Sequence, residues 1–144
     1  MDLSNKPADL PTVEELLAMP EEEYMNERQL AFFRWLLLEE KRKLMENAQQ
    51  TTQHLAEENV ATPDWTDRAT IEEEQALELR VRDRERKLMK KIDEALKRID
   101  EGTYGYCEET GEPIGLRRLL ARPTATLSIE AQERHERMEK LRAG

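Results

Sequence analysis

One cysteine, Cys107, among 144 residues leaves no partner for an intramolecular disulfide, and an unpaired thiol suits a reducing compartment. Glycine occurs only five times, and none of the five builds a phosphate-cradling loop. Of the two histidines, His54 and His135 both fall in polar helical stretches and are expected to be exposed; neither belongs to a metal-binding His/Glu pair, and Cys107 has no base beside it. The residues therefore offer no catalytic set, and the chain is expected not to be an enzyme. No apolar run approaches the roughly 18 residues of a membrane span. The opening stretch MDLSNKPADLPTVEELLAMP lacks an apolar core behind a positive start, so no signal peptide is expected and the cytoplasm is the expected location.

What the chain has in abundance is charge. Charged and hydrophobic residues each make up 38%, a balance suited to long helices with solvated faces. A net charge of −9 repels phosphate backbones, so sequence-specific DNA binding by the surface as a whole is not expected.

Three segments follow from the punctuation. Residues 1–25 are an N-terminal segment, partly disordered around Pro7 and Pro11, with a short helical piece TVEELLAM stopped by Pro20. Residues 26–100 read as a helical hairpin with its tip at 60–69. Asn26 followed by Gln29 has the form of a capping box, and a helix from about Glu27 to Asn59 carries Leu30, Phe33, Leu37 and Leu44 at helical spacing. After VATPDWTDRAT, a second helix starting at Asp67 or Ala69 and ending at Ile99 places Ile71, Leu77, Val81, Leu88, Ile92, Leu96 and Ile99 to face a partner. Two such helices joined by a short link predict an antiparallel coiled-coil hairpin about 45 Å long. Residues 101–144 hold a finger-like segment opened by Gly102 and Gly105, a short helix in GLRRLLA, and a last helix capped by Ser128. The fold class is mainly α: a long hairpin on a small globular base.

Two constellations stand out. Asp64 and Asp67 flank Trp65 in the link; beside proline they serve naturally as turn and cap residues, while an indole at a projecting tip argues for a binding end. The residues alone leave both readings open. From Arg80 to Lys91 seven cations face only Asp83 and Glu85. Arg80, Arg84, Lys87 and Lys91 share one helical face, which reads as a solvated surface or, together with Arg117, Arg118 and Arg122, as an anion site.

The stretches EEYMNERQLAFFR, DRATIEEEQALELRVRDRERKLMKKIDEAL and GYCEETGEPIGLRRLLARPTA together resemble the DksA/TraR zinc-finger-type family of transcription factors, from about Glu22 to Gly144. The resemblance implies a bacterial regulator, monomeric and free of membrane, that binds RNA polymerase in its secondary channel and not DNA. It implies modulation of open-complex stability at ribosomal RNA and amino-acid biosynthesis promoters together with the effector ppGpp. The family's tip motif falls on Asp64, Asp67 and Ala69, which tips the reading of the link towards function; the ppGpp and polymerase contact falls on Leu88, Lys91 and Arg122, and the polymerase-binding basic face on Arg80, Arg84 and Lys87. Where the family carries a further lysine this chain has Gln132, which favours as the alternative a ppGpp-independent regulator of elongation or stress response in the same channel.

The family's four zinc-binding cysteines correspond to Cys107, Thr110, Ser128 and Ala131. An alanine offers no ligand atom, and a hydroxyl pair cannot replace thiolates, so no zinc is expected. Tyr104, Tyr106, Ile114, Leu116, Leu119, Leu120, Leu127 and Ile129 are expected to form an apolar cluster in its place, with Cys107 a packed residue rather than a redox switch.

Overall fold

The computed structural model describes the backbone of residues 2–60 and 65–143, and the side chains of these outside 51–69 and 143. Five helices follow in order: α1 (Val13–Ala18), α2 (Glu27–Val60), α3 (Trp65–Glu101), α4 (Leu116–Ala121) and α5 (Ile129–Ala143), with a 3-10 turn at Glu21–Glu23. No strand occurs among the described residues, so the mainly α architecture predicted from periodicity holds.

Local chemistry sets the helix ends. Thr12 caps α1 by accepting from the Glu15 amide at 3.1 Å. Asn26 caps α2 through Oδ1, which accepts from the Gln29 amide, while Gln29 Oε1 reaches back to the Met25 amide; this is the anticipated box, closed one residue earlier than the cap itself. α3 ends in a Schellman arrangement: Thr103 N bonds Arg98 O, Gly102 N bonds Ile99 O, and Gly102 takes φ +79°, a conformation a side chain would oppose. α3 begins at Trp65, two residues before the earlier of its expected starts, within the latitude that several adjacent capping residues leave.

α2 and α3 run antiparallel. Arg34 bridges Asp100 and Lys41 bridges Asp93, so seven residues forward on α2 correspond to seven back on α3. The chain divides into two compact units, Met1–Leu37 with Glu94–Gly144 and Leu38–Asp93. In the first, Leu16, Phe32, Phe33, Leu36, Leu37, Ala95, Ile99, Tyr104 and Leu119 are buried. The Phe33 ring lies 5.7 Å from that of Tyr104 and 5.5 Å from that of Phe32. In the second unit the stripe expected to face a partner is only partly inward: Leu77 and Leu88 are 58% and 37% exposed. Less exposed there are Glu78, Arg82, Glu85 and Met89, a three- and four-residue series that leads to Ile92, and Leu77 and Leu88 each stand one residue to its side.

Candidate functional site

The finger is built from two turns held together. Cys107 N bonds Glu112 O at 2.8 Å and Gly111 N returns to Cys107 O at 2.9 Å, closing a tight knuckle whose Gly111 sits at φ +74°. Glu108 N donates to Thr126 O, tying this knuckle to the segment before α5. Ser128 Oγ accepts from the Ala131 amide at 3.2 Å, so Ser128 is the expected cap. The Tyr104 hydroxyl, buried, donates to Pro123 O at 2.8 Å. The Tyr24 hydroxyl donates to Gly105 O at 2.6 Å and accepts from Gly115 N at 2.9 Å, pinning the N-terminal segment to the finger; burial raises the pKa of this hydroxyl, the Gly115 contact opposing.

The zinc-site positions are brought together, but as a different device. Cys107 and Ala131 are buried and Thr110 is exposed. Thr110 Oγ1 accepts from the Glu112 amide, Ser128 Oγ is taken up as a cap, and Ala131, buried, offers no ligand atom. No group of three or more His, Cys, Asp or Glu with metal-holding geometry occurs among the described residues. This donor set does not fit a zinc ion. Burial opposes ionisation of the Cys107 thiol, but hydrogen bonds from the Thr110 hydroxyl and from the backbone of Ser128, Thr110 and Glu109 outweigh it and lower the pKa from 9.0 to about 6. The Thr110 hydroxyl and these backbone groups are placed to stabilise the thiolate form.

Because the folded thiol ionises more readily than the unfolded one, it adds stability that is full above about pH 9 and is lost as pH falls through about 6. Thiolate absorbance at 240 nm is expected to titrate with a midpoint near 6. The urea midpoint of Cys107→Ala should lack the rise that the native chain shows across that interval; an identical rise in both would refute the assignment.

Two of the residues assigned to the apolar cluster are not inside it: Tyr106 is 38% and Ile129 50% exposed, while Ala125 and Ala131 are buried in their stead. Tyr106 instead meets the Tyr24 ring edge to face at 5.6 Å. Ile129 is the first residue of α5, directly after its cap, where the side chain turns outward. His135 is half exposed, as expected, but it pairs with Glu109 of the knuckle, a contact between residues 26 apart that no local pattern signals.

On α3, Arg80, Arg84, Lys87, Leu88 and Lys91 are all exposed. Lys87 pairs with Asp83 at 3.3 Å. Arg80, Arg84 and Lys91 make no ion pair among the described residues. Arg122, also exposed, belongs to the other compact unit. The tip residues Asp64, Asp67 and Ala69 lie outside the described residues, Asp64 entirely and the other two in their side chains.

Comparison with known proteins matches these features in order. Residues 29–99 match the N-terminal domain of the DnaK suppressor protein DksA, and residues 102–137 match the prokaryotic dksA/traR C4-type zinc finger. The RNA polymerase-binding transcription factor DksA of Caulobacter vibrioides is 56% identical over 121 residues, 84% of this chain and 85% of that protein. Its namesake in Escherichia coli K12 is 49% identical over 132 residues, 92% of this chain and 87% of that protein. The solved structure of transcription factor DksA2 from Pseudomonas aeruginosa superimposes with a TM-score of 0.83 at 49% identity, covering 90% of this chain and 99% of that one. With the hairpin helices and the finger both matched over most of their length, the chain belongs to the DksA/TraR family, in a form that keeps one cysteine, Cys107, in a finger of the C4 type.

Proposed function

We propose that the chain is a bacterial transcription regulator that binds RNA polymerase, presenting the basic face of α3 to it and acting through the hairpin tip in the secondary channel. The observation that carries this reading is the charge of Arg80, Arg84 and Lys91, which make no ion pair among the described residues, on a chain of net charge −9. A solvated helix face normally satisfies such cations with carboxylates three or four residues away, whereas guanidinium groups left free suit an acidic or phosphate-bearing partner. The relatives' names support polymerase as that partner. In this reading the chain works as a cytoplasmic monomer, does not recognise a DNA sequence, and alters open-complex stability at ribosomal RNA and amino-acid biosynthesis promoters, with Leu88, Lys91 and Arg122 meeting ppGpp. Asp64, Asp67 and Ala69 form the acting end.

In vitro transcription from a ribosomal RNA promoter tests the tip. Asp67→Asn is expected to retain polymerase binding and lose inhibition; inhibition at the native level would remove Asp67 from the mechanism. Titrating ppGpp in the same assay separates the second reading, a ppGpp-independent regulator of elongation or stress response. That reading is favoured by Gln132, whose amide bonds Glu136 at 3.4 Å where the family carries a lysine, so this position faces a carboxylate and offers no cation.

The finger is proposed to hold no zinc. Zinc commonly contributes on the order of 10 kcal/mol to a structural finger, so chelation is a sensitive probe. Prolonged dialysis against EDTA is expected to leave the melting temperature and the helical circular dichroism unchanged. Stoichiometric zinc in the purified protein, or a fall of more than a few degrees on chelation, would overturn the reading.

A further inference from the structure

Within the first compact unit a groove of about 680 Å³ opens between the N-terminal segment and the finger. Aliphatic side chains of Leu17, Ile114, Leu116 and Ile129 line it, and α4 contributes Arg117 and Arg118. We propose that this groove seats an extended peptide segment of a partner protein, one that carries a carboxylate beside aliphatic side chains, with the carboxylate on the two arginines.

Three observations support this occupant. Ile129 is half exposed, although it stands between the buried Ser128 and Ala131. Its side chain covers the groove instead of closing the finger, and apolar surface left open in a concavity is the usual mark of a binding site. Second, Arg117 and Arg118 make no ion pair among the described residues, and Arg118 Nε is shut away from solvent without an acceptor. A buried donor left unmet is costly, and a planar guanidinium is best met by a carboxylate. Third, part of the wall is irregular backbone, at Met19 and Pro20 and again from Pro113 to Gly115. Backbone outside helices can pair with an extended segment, which suits such an occupant better than a compact ligand. Glu21 is the one acid on the rim, so the carboxylate is placed towards α4 and away from it.

The net charge of −9 repels an acidic segment at a distance. Affinity must then come from the groove itself, where losing a charge-assisted bond weakens binding about tenfold or more. The groove lies in a different compact unit from the basic face of α3, and its occupancy does not depend on the function proposed above.

The test is selection of a random heptapeptide phage library on the immobilised full-length chain, followed by fluorescence titration of the consensus peptide. The expected consensus is Asp or Glu next to Leu, Ile, Met or Phe. Affinity should fall at least about tenfold for Arg117→Glu and for Ile129→Asp, both of which change exposed side chains and should keep the native circular dichroism. Millimolar octanoate should fail to displace the peptide. The proposal is overturned by a selection without consensus, by a consensus lacking an acid, or by native affinity in both variants. Displacement by octanoate would also overturn it, assigning the groove to free amphiphilic carboxylates.

Discussion

Phe33→Ala is expected to lose about 3 to 5 kcal/mol of stability, the range for truncating a buried phenylalanine, and to abolish the folded state of the first compact unit at moderate temperature. Phe33 is fully buried on α2, between the rings of Phe32 on its own helix and Tyr104 at the mouth of the finger. Tyr104 is itself fixed by its hydroxyl on Pro123 O. Removing the Phe33 ring therefore leaves a cavity whose walls cannot collapse without breaking that buried hydrogen bond or shifting a helix. A single domain typically has about 5 to 15 kcal/mol in all, so the loss is a large fraction of it. Urea denaturation followed by circular dichroism measures the effect, with Leu38→Ala at a half-exposed position as the control expected to change little. A loss under about 1 kcal/mol for Phe33→Ala would show that this aromatic cluster does not hold the unit together.

Gly105→Ala is expected to cost about 2 to 4 kcal/mol, combining backbone strain with overpacking. Gly105 takes φ +90°, where a side chain is opposed on conformational grounds alone. A Cβ there would also stand 2.9 Å from Cγ and Sδ of Met25. The backbone of Met25 cannot shift easily, since it is itself a non-glycine residue at φ 57°, its amide is held by Gln29 Oε1, and its neighbour Tyr24 is anchored on Gly105 O and Gly115 N, so relief falls to rotation of the Met25 side chain. Gly111→Ala separates the two contributions, since Gly111 has φ +74° but nothing within 4 Å of the added atom. It should cost only the conformational part, about 1 kcal/mol. Equal losses for the two substitutions would rule out the Met25 clash.

Much of this architecture is written locally and could be read without coordinates. Asn26 and Gln29 are three residues apart and announce the start of α2. Phe33, Leu37, Ile92 and Ile99 repeat at helical spacing and are all buried in the hairpin. The basic run on α3 is equally plain, a matter of composition, whereas the degenerate cysteine positions were legible only through the resemblance to the family. What escaped the sequence depends on parts of the chain that meet only after folding. Leu16 becomes fully buried although α1 has six residues and little periodicity to display. Tyr24 meets Gly105 and Gly115 across 81 and 91 residues. Leu77 and Leu88 have the right spacing yet stand one residue beside the less exposed series Glu78, Arg82, Glu85 and Met89, because residue type does not fix which way a helix turns around its partner. The thiolate cradle draws on the Ser128 backbone, far along the chain from Cys107. An amide is the same in every residue, so no residue type advertises it.

That cradle changes what the finger responds to. A metal-bound knuckle keeps a fixed charge while the ion is present and loses its brace when the ion is withdrawn, so its controlling variable is metal supply. Here the negative charge sits on one sulfur among neutral donors and comes and goes with a proton near pH 6. In the zinc-free finger proposed above, acidity is then the solution condition to which the brace between Cys107 and the start of α5 is tied.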